Sequence, residues 1–178
     1  MTTAIKNDRL QKRFQKWDVN GNGRIEKSDF EAEAKRIISA FGEDQTSPQA
    51  RAVQDSFRTM FEFLADKAGV GPNGSLNERQ FTEVIEAQIF QEGDAGFARV
   101  VRPTISAIVG LCDTDGDGEV DQREFAKWLD AIGVEASAVA PAFRAIDVNG
   151  NGKLTVDELV HAVRDYHLGK SDVPLLGK

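Results

Sequence analysis

The residues with a spacing that suggests chemistry are carboxylates at alternate positions. In DTDGDGEVDQRE, residues 113–124, Asp113, Asp115 and Asp117 alternate, Gly118 follows, and Glu124 closes the run. So much like charge in so short a span would repel itself unless a cation lay among the oxygens. Hard oxygen donors at this spacing suit calcium, which takes roughly six to eight oxygens at about 2.3–2.6 Å. Side-chain oxygens of Asp113, Asp115 and Asp117 come first, then the backbone carbonyl of Glu119, a water-bridged contact at Asp121, and both oxygens of Glu124. Gly118 supplies the sharp turn, which only a residue without a Cβ makes at no steric cost. Val120, the eighth residue, is expected to pair its backbone with the matching residue of a neighbouring loop. A merely acidic, solvated turn would need neither the glycine nor the closing glutamate at fixed offsets.

The pattern D-x-[DN]-x-[DN]-G-x5-E, that of an EF-hand calcium loop, occurs more than once. DVNGNGKLTVDE, 147–158, offers Asp147, Asn149, Asn151, the carbonyl of Lys153, and Glu158. DVNGNGRIEKSD, 18–29, offers Asp18, Asn20, Asn22 and the carbonyl of Arg24, but closes with Asp29. One methylene less makes it harder for both carboxylate oxygens to reach the ion. This moves the first loop toward magnesium or weaker calcium binding, with Glu26 at the ninth position compensating directly or through water. A fourth copy, GVGPNGSLNERQ at 69–80, is degenerate: with Gly74 aligned to the loop glycine, Gly69 and Gly71 stand where acids belong and Gln80 stands at the end. Without a carboxylate at a ligand position it is expected to bind no ion. Its role is then structural, with Leu76 bridging to Ile25 as Val120 bridges to Leu154. Three calcium ions are expected, with magnesium as competitor at the first site.

Helices must flank such loops, and apolar residues recur at helical spacing on either side. Leu10, Phe14 and Trp17 precede the first loop, Ile105, Ile108, Val109 and Cys112 the third, and Val139, Phe143 and Ile146 the fourth. After the loops come Phe30, Ala34 and Ile37; Phe81, Val84, Ile85 and Gln88; Phe125, Trp128, Leu129 and Ile132; and Leu159, Val163 and Tyr166. Another stripe, Val53, Phe57, Phe61 and Leu64, follows the polar segment 42–50. The fold class is therefore all-α, with four helix-loop-helix units in two pairs packed into one compact globule. Residues 1–92 form the first pair, 93–169 the second, and 170–178 an apolar tail, with QEGDAG at 91–96 separating the halves. Neither join is a long charged helix, which favours packed pairs over a dumbbell.

A chain of 178 residues, 40% hydrophobic and 29% charged, suffices for one sizeable core or two small ones. Three divalent ions would bring its formal net charge of −7 to −1, so the acidity reads as metal-binding charge. It argues against an electrostatic hold on nucleic acid. The N-terminus lacks the apolar core of a signal peptide, and no stretch approaches the roughly 18 uninterrupted apolar residues that span a bilayer. A cytoplasmic monomer without a membrane role is expected, its protein target unknown. Cys112, on an apolar stripe, reads as a small buried hydrophobe, with redox chemistry as the alternative. His161 and His167 lack partners at metal-ligand spacing and read as surface or helix-end residues. No nucleophile stands in a catalytic setting: there is no G-x-S-x-G elbow and no P-loop, so the chain does not read as an enzyme.

The order of intact and broken loops, the aspartate closing the first, and the phrases FQKWDVNGNG and AVRDYHLGKSDVPLLG together resemble the calerythrin-like bacterial EF-hand proteins and their relatives, the sarcoplasmic calcium-binding proteins. The likeness runs nearly end to end. It implies a compact four-hand fold with calcium in the first, third and fourth loops, and a role in buffering or carrying calcium. The alternative is a sensor that exposes a groove for a target helix. Such grooves are rich in methionine, whereas this chain has 2 methionines, one of them the initiator, and 11 phenylalanines. In the tail, Val173, Leu175 and Leu176 are expected to fold into the groove between the halves. Pro174 bars a continuing helix, and a frayed terminus is the alternative.

Overall fold

The computed structural model describes residues 2–173 and 175. Eight α-helices order these residues: α1 (Thr2–Trp17), α2 (Lys27–Ala40), α3 (Pro48–Ala68), α4 (Glu78–Ile85), α5 (Gly93–Cys112), α6 (Gln122–Ala131), α7 (Val139–Ile146) and α8 (Val156–His167). Two short strands, β1 (Ile25–Glu26) and β2 (Ser75–Leu76), lie inside the first two loops. The architecture is all-α, and every predicted apolar stripe falls on a helix, apart from Ile132, which caps the end of α6.

Capping chemistry explains where the helices start. Ser47 accepts a bond from the Ala50 amide, and Pro48 occupies the first helical position of α3, where a missing N–H costs nothing. Helices α4, α6 and α8 each begin at a reciprocal capping box, Asn77/Gln80, Asp121/Glu124 and Thr155/Glu158. The twelfth loop residue is thus also the third residue of the exiting helix. Gln80 keeps this task although it lacks the charge of its counterparts, so α4 starts at the same loop position as α6 and α8.

The loops pair as expected. Ile25 lies opposite Leu76 in an antiparallel two-strand sheet, and Val120 and Leu154 exchange both backbone hydrogen bonds at 2.9 and 2.8 Å. All four eighth-position side chains are fully buried. Around them the aromatics pack edge to face, Trp17 on Phe81, Phe30 on Phe61 and Phe125 on Phe143, with Trp17 tilted on Phe30. Buried side chains from both pairs belong to one continuous core, joined where α5 packs on α3 and α8.

Some expectations needed correction. The separator at 91–96 is mostly helical: a π-helical turn, Glu86–Phe90, extends α4, and α5 begins at Gly93. The stripe of α4 therefore ends at Ile85, and Gln88 lies on the π turn. Helix α5 is long and apolar enough, by length and mean hydropathy, to cross a bilayer; here most of that stretch is buried against neighbouring helices.

The tail docks. Leu175 is 1% exposed, and its carbonyl accepts the indole N–H of Trp128 at 3.0 Å. From α1, Arg9 stacks on the Tyr166 ring, donates to the carbonyls of Tyr166 and Ser171, and pairs with Asp172 at 2.6 Å. The tail therefore touches elements of both halves. Pro174 and Leu176 lie outside the described residues.

Candidate metal centres

In each intact loop the entering helix ends at the first aspartate. Asp113 and Asp147 cap α5 and α7 in non-helical backbone, and their amides still close the last turn at 2.8 and 2.9 Å. Both oxygens of the first aspartate then gather loop amides. Asp113 accepts from Gly116 and Gly118, each at 2.9 Å; Asp18 accepts from Asn22 and Gly23, and Asp147 from Asn151 and Gly152. The turn is made by glycines at the fourth and sixth positions, all with φ between 67° and 81°.

The third and fifth side chains follow suit. Asn20 and Asn22 in the first loop, Asp115 and Asp117 in the third, and Asn149 and Asn151 in the fourth each accept from the amide two residues on, at 2.9–3.1 Å. The amides of Arg24, Glu119 and Lys153 are among these donors, which ties the seventh residue to the ligand-bearing turn. Oxygens of Asp113, Asp115 and Asp117, and of Asp115, Asp121 and Glu124, lie within 4.8 Å of one another. Asp121, read from sequence as a water-bridged contact, is thus close enough to face an ion with its own carboxylate.

The closing residue shows the effect of arm length. Glu124 takes the Asp121 amide with one oxygen at 2.9 Å and the Thr114 amide and hydroxyl with the other at 2.8 and 3.0 Å. Glu158 likewise spans from the Thr155 amide at 3.1 Å to Val148 at 2.9 Å. Asp29 reaches the Glu26 amide at 2.9 Å, but its second oxygen stands 3.4 Å from the Asn20 amide. Burial, against bonds from Glu26 and Asn20, holds the Asp29 carboxyl above its ordinary pKa.

The degenerate loop turns differently. Gly69 and Gly71 adopt the left-handed conformation, whereas Gly74, aligned from sequence as the turn glycine, does not. Gly74 serves close approach instead, since a Cβ there would stand 2.2 Å from the Val70 carbonyl oxygen. Proline at 72 occupies the fourth position, where the intact loops have glycine, and its ring fixes φ near about −65°. Gly69 instead ends α3 as a left-handed cap.

Three side chains had functions that sequence reasoning missed. Lys153, read only for its carbonyl, extends its ammonium to Asp117 in the partner loop. That contact, with the Glu119 amide, holds the Asp117 carboxyl below its ordinary pKa. In the first pair, Arg24 at the same loop position reaches Ser75 Oγ at 3.0 Å. His167 is at a helix end but is not a surface residue. It is buried, its Nδ1 bonds the Val163 carbonyl at 2.9 Å, and Arg13 Nε stands 3.4 Å from its Nε2. This geometry fits a neutral ring protonated at Nδ1, and burial, with Arg13 beside it, pushes the pKa down to about 3. Cys112 is buried as expected, its thiol pushed up to about 12 by desolvation, with Glu124 adding to the shift.

The residues present fit calcium: oxygen donors converge, amides order them, and glycines shape the turn. Comparison with known proteins agrees. A family model described as EF hand matches residues 10–32 and 112–129, and another described as EF-hand domain matches 140–169. These segments contain the three intact loops. Calerythrin of Saccharopolyspora erythraea is 49% identical over 177 residues, covering 99% of this chain and 100% of that protein. Among solved structures, a Streptomyces coelicolor calcium-binding protein is 30% identical, with a TM-score of 0.73 over 92% of this chain and 98% of that one. The magnesium-loaded apo form of the ctenophore photoprotein berovin is 25% identical, with a TM-score of 0.68 over 90% of this chain and 87% of that one. With near-half identity along its whole length and the loop geometry to match, the chain belongs to the calerythrin family of non-enzymatic EF-hand calcium-binding proteins.

Proposed function

We propose that the protein binds three calcium ions and serves as an intracellular calcium buffer or carrier. The ligands are Asp18, Asn20, Asn22, the Arg24 carbonyl and Asp29 in the first loop. In the third they are Asp113, Asp115, Asp117, the Glu119 carbonyl and Glu124, and in the fourth Asp147, Asn149, Asn151, the Lys153 carbonyl and Glu158. The observation that carries the buffer reading is the docked tail. Leu175 is buried and bonded to Trp128, so the tail covers apolar surface of the second pair that a sensor would offer a target. The first site is the one where magnesium competes most, because the Asp29 arm is short. Berovin, whose three calcium-binding loops bind magnesium, supplies a precedent in a related fold.

A second reading has one observation in its favour: the Streptomyces coelicolor relative is associated with calcium-mediated regulation. In that reading calcium would release the tail and open the core to a target. Calorimetric calcium titration, with and without millimolar magnesium, tests the proposal. The buffer reading expects three sites, weakened by magnesium, with no gain in apolar-dye binding on calcium loading. Binding indifferent to magnesium, together with a calcium-dependent rise in dye binding, would replace it with the sensor.

A further inference from the structure

The seventh residue of an EF-hand loop is read for its carbonyl, and its side chain is free to do something else. In both pairs that side chain crosses to the partner loop. Arg24 of the first loop reaches Ser75, the seventh residue of the second, where no carboxylate is present to receive it. Lys153 of the fourth loop lands on Asp117, the fifth residue of the third. Its target is therefore a carboxylate in the group that converges for an ion. The backbone exchange between Val120 and Leu154 fixes the register that sets the two side chains against each other.

We propose that Lys153 is a tethered cation that competes with calcium for Asp117, and so sets the affinity of the third site and links it to the fourth. Without calcium, the ammonium offsets repulsion among Asp113, Asp115 and Asp117. Calcium entering the third loop needs the Asp117 oxygen and brings two positive charges toward a third, so the Lys153 side chain must leave. The tether begins on a fourth-loop ligand residue, so displacing the ammonium is felt there too, and the coupling is reciprocal. This rests on the assignment of both loops as calcium sites and is independent of the choice between buffer and sensor.

The test is a double-mutant cycle on the whole chain. The carbonyl of residue 153 remains in every variant, so the fourth loop keeps its full ligand set. Calcium filling is followed at the Gly118 and Gly152 amides by NMR, since each bonds the first aspartate of its own loop and reports it separately. Lys153→Met is expected to tighten the third site about two- to fivefold, the range of a partly exposed ion pair. It should lower the thermal midpoint of the calcium-free protein while leaving that of the loaded protein nearly unchanged. Lys153→Arg, which keeps the charge, should behave like wild type. In an Asp117→Asn background the gain from Lys153→Met should vanish. An equal gain in that background would mean a general field effect and overturn the pairing, as would unchanged third-site affinity in Lys153→Met. If the Gly118 amide of the wild type does not respond to calcium, the site assignment fails and the inference with it.

Discussion

At the scale of the residue, the candidate ligand sets could be proposed from sequence because they are one-dimensional. Asp113, Asp115, Asp117 and Glu124 sit at offsets fixed by the loop itself, and no distant element decides them. The same holds for Asp29: Glu124 and Glu158 take the amides of the second loop residues, Thr114 and Val148, at 2.8 and 2.9 Å, whereas the shorter Asp29 makes its second contact at the third residue, Asn20, at 3.4 Å. Asp29→Glu should therefore tighten calcium at the first loop severalfold and reduce magnesium's ability to compete, as read by paired titrations. His167 was not legible in this way, because its burial arises where α1 lays Leu10 and Arg13 near α8, a long-range event. It also carries a pH dependence of definite sign. The unfolded ring takes up a proton as pH falls below about 6.5, while the folded ring, pushed down to about 3, does not. Its stabilising effect is thus complete above that range and lost on acidification, by about 1.4 kcal/mol per pH unit between those values. Going from pH 7 to 5, His167→Gln should lose about 2 kcal/mol less stability than wild type in urea unfolding. Parallel pH profiles for the two proteins would contradict the buried neutral ring.

At the scale of the element, the degenerate hand shows that a loop without ligand charge can still earn its place. Leu76 completes the β1–β2 pairing, and Gln80 caps α4 with its amide oxygen 2.9 Å from the Asn77 nitrogen. Leu76→Ala, at a fully buried site, should cost about 2–5 kcal/mol and weaken calcium at the first loop, 47 residues away from Asp29 in sequence. First-loop affinity unchanged in Leu76→Ala would remove the structural role. The sequence alignment of this loop was right in register, since Leu76 does face Ile25. Its turn was not legible: Gly69 caps α3 in the left-handed conformation, Gly71 is left-handed too, and Gly74 is not. Gly74→Ala should accordingly destabilise by crowding the Val70 carbonyl, with a lowered thermal midpoint as the readout.

At the scale of the whole molecule, the short join between pairs announced a packed arrangement, and one continuous core follows from it. A docked tail was the expectation with a frayed end as the alternative, and the contacts that hold it were not legible, because Gly169 and the proline after Val173 suit either end. Its fate is decided by the Trp128 indole and by Arg9, which lie in distant helices. Truncation after Gly169 should remove the buried Leu175 and the acceptor of the Trp128 N–H, at a cost of about 0.5–1.5 kcal/mol for the hydrogen bond alone. Lower stability and higher dye binding are the expected result; unchanged values for both would indicate a frayed terminus. The two tryptophans also divide the molecule between them: Trp17 directly precedes the first loop and rests on Phe30 and Phe81, whereas Trp128 lies in the second pair under the tail. Replacing either one by phenylalanine leaves a single indole whose emission reports, with no label attached, on the first hand alone (Trp17) or on release of the C-terminal strap alone (Trp128).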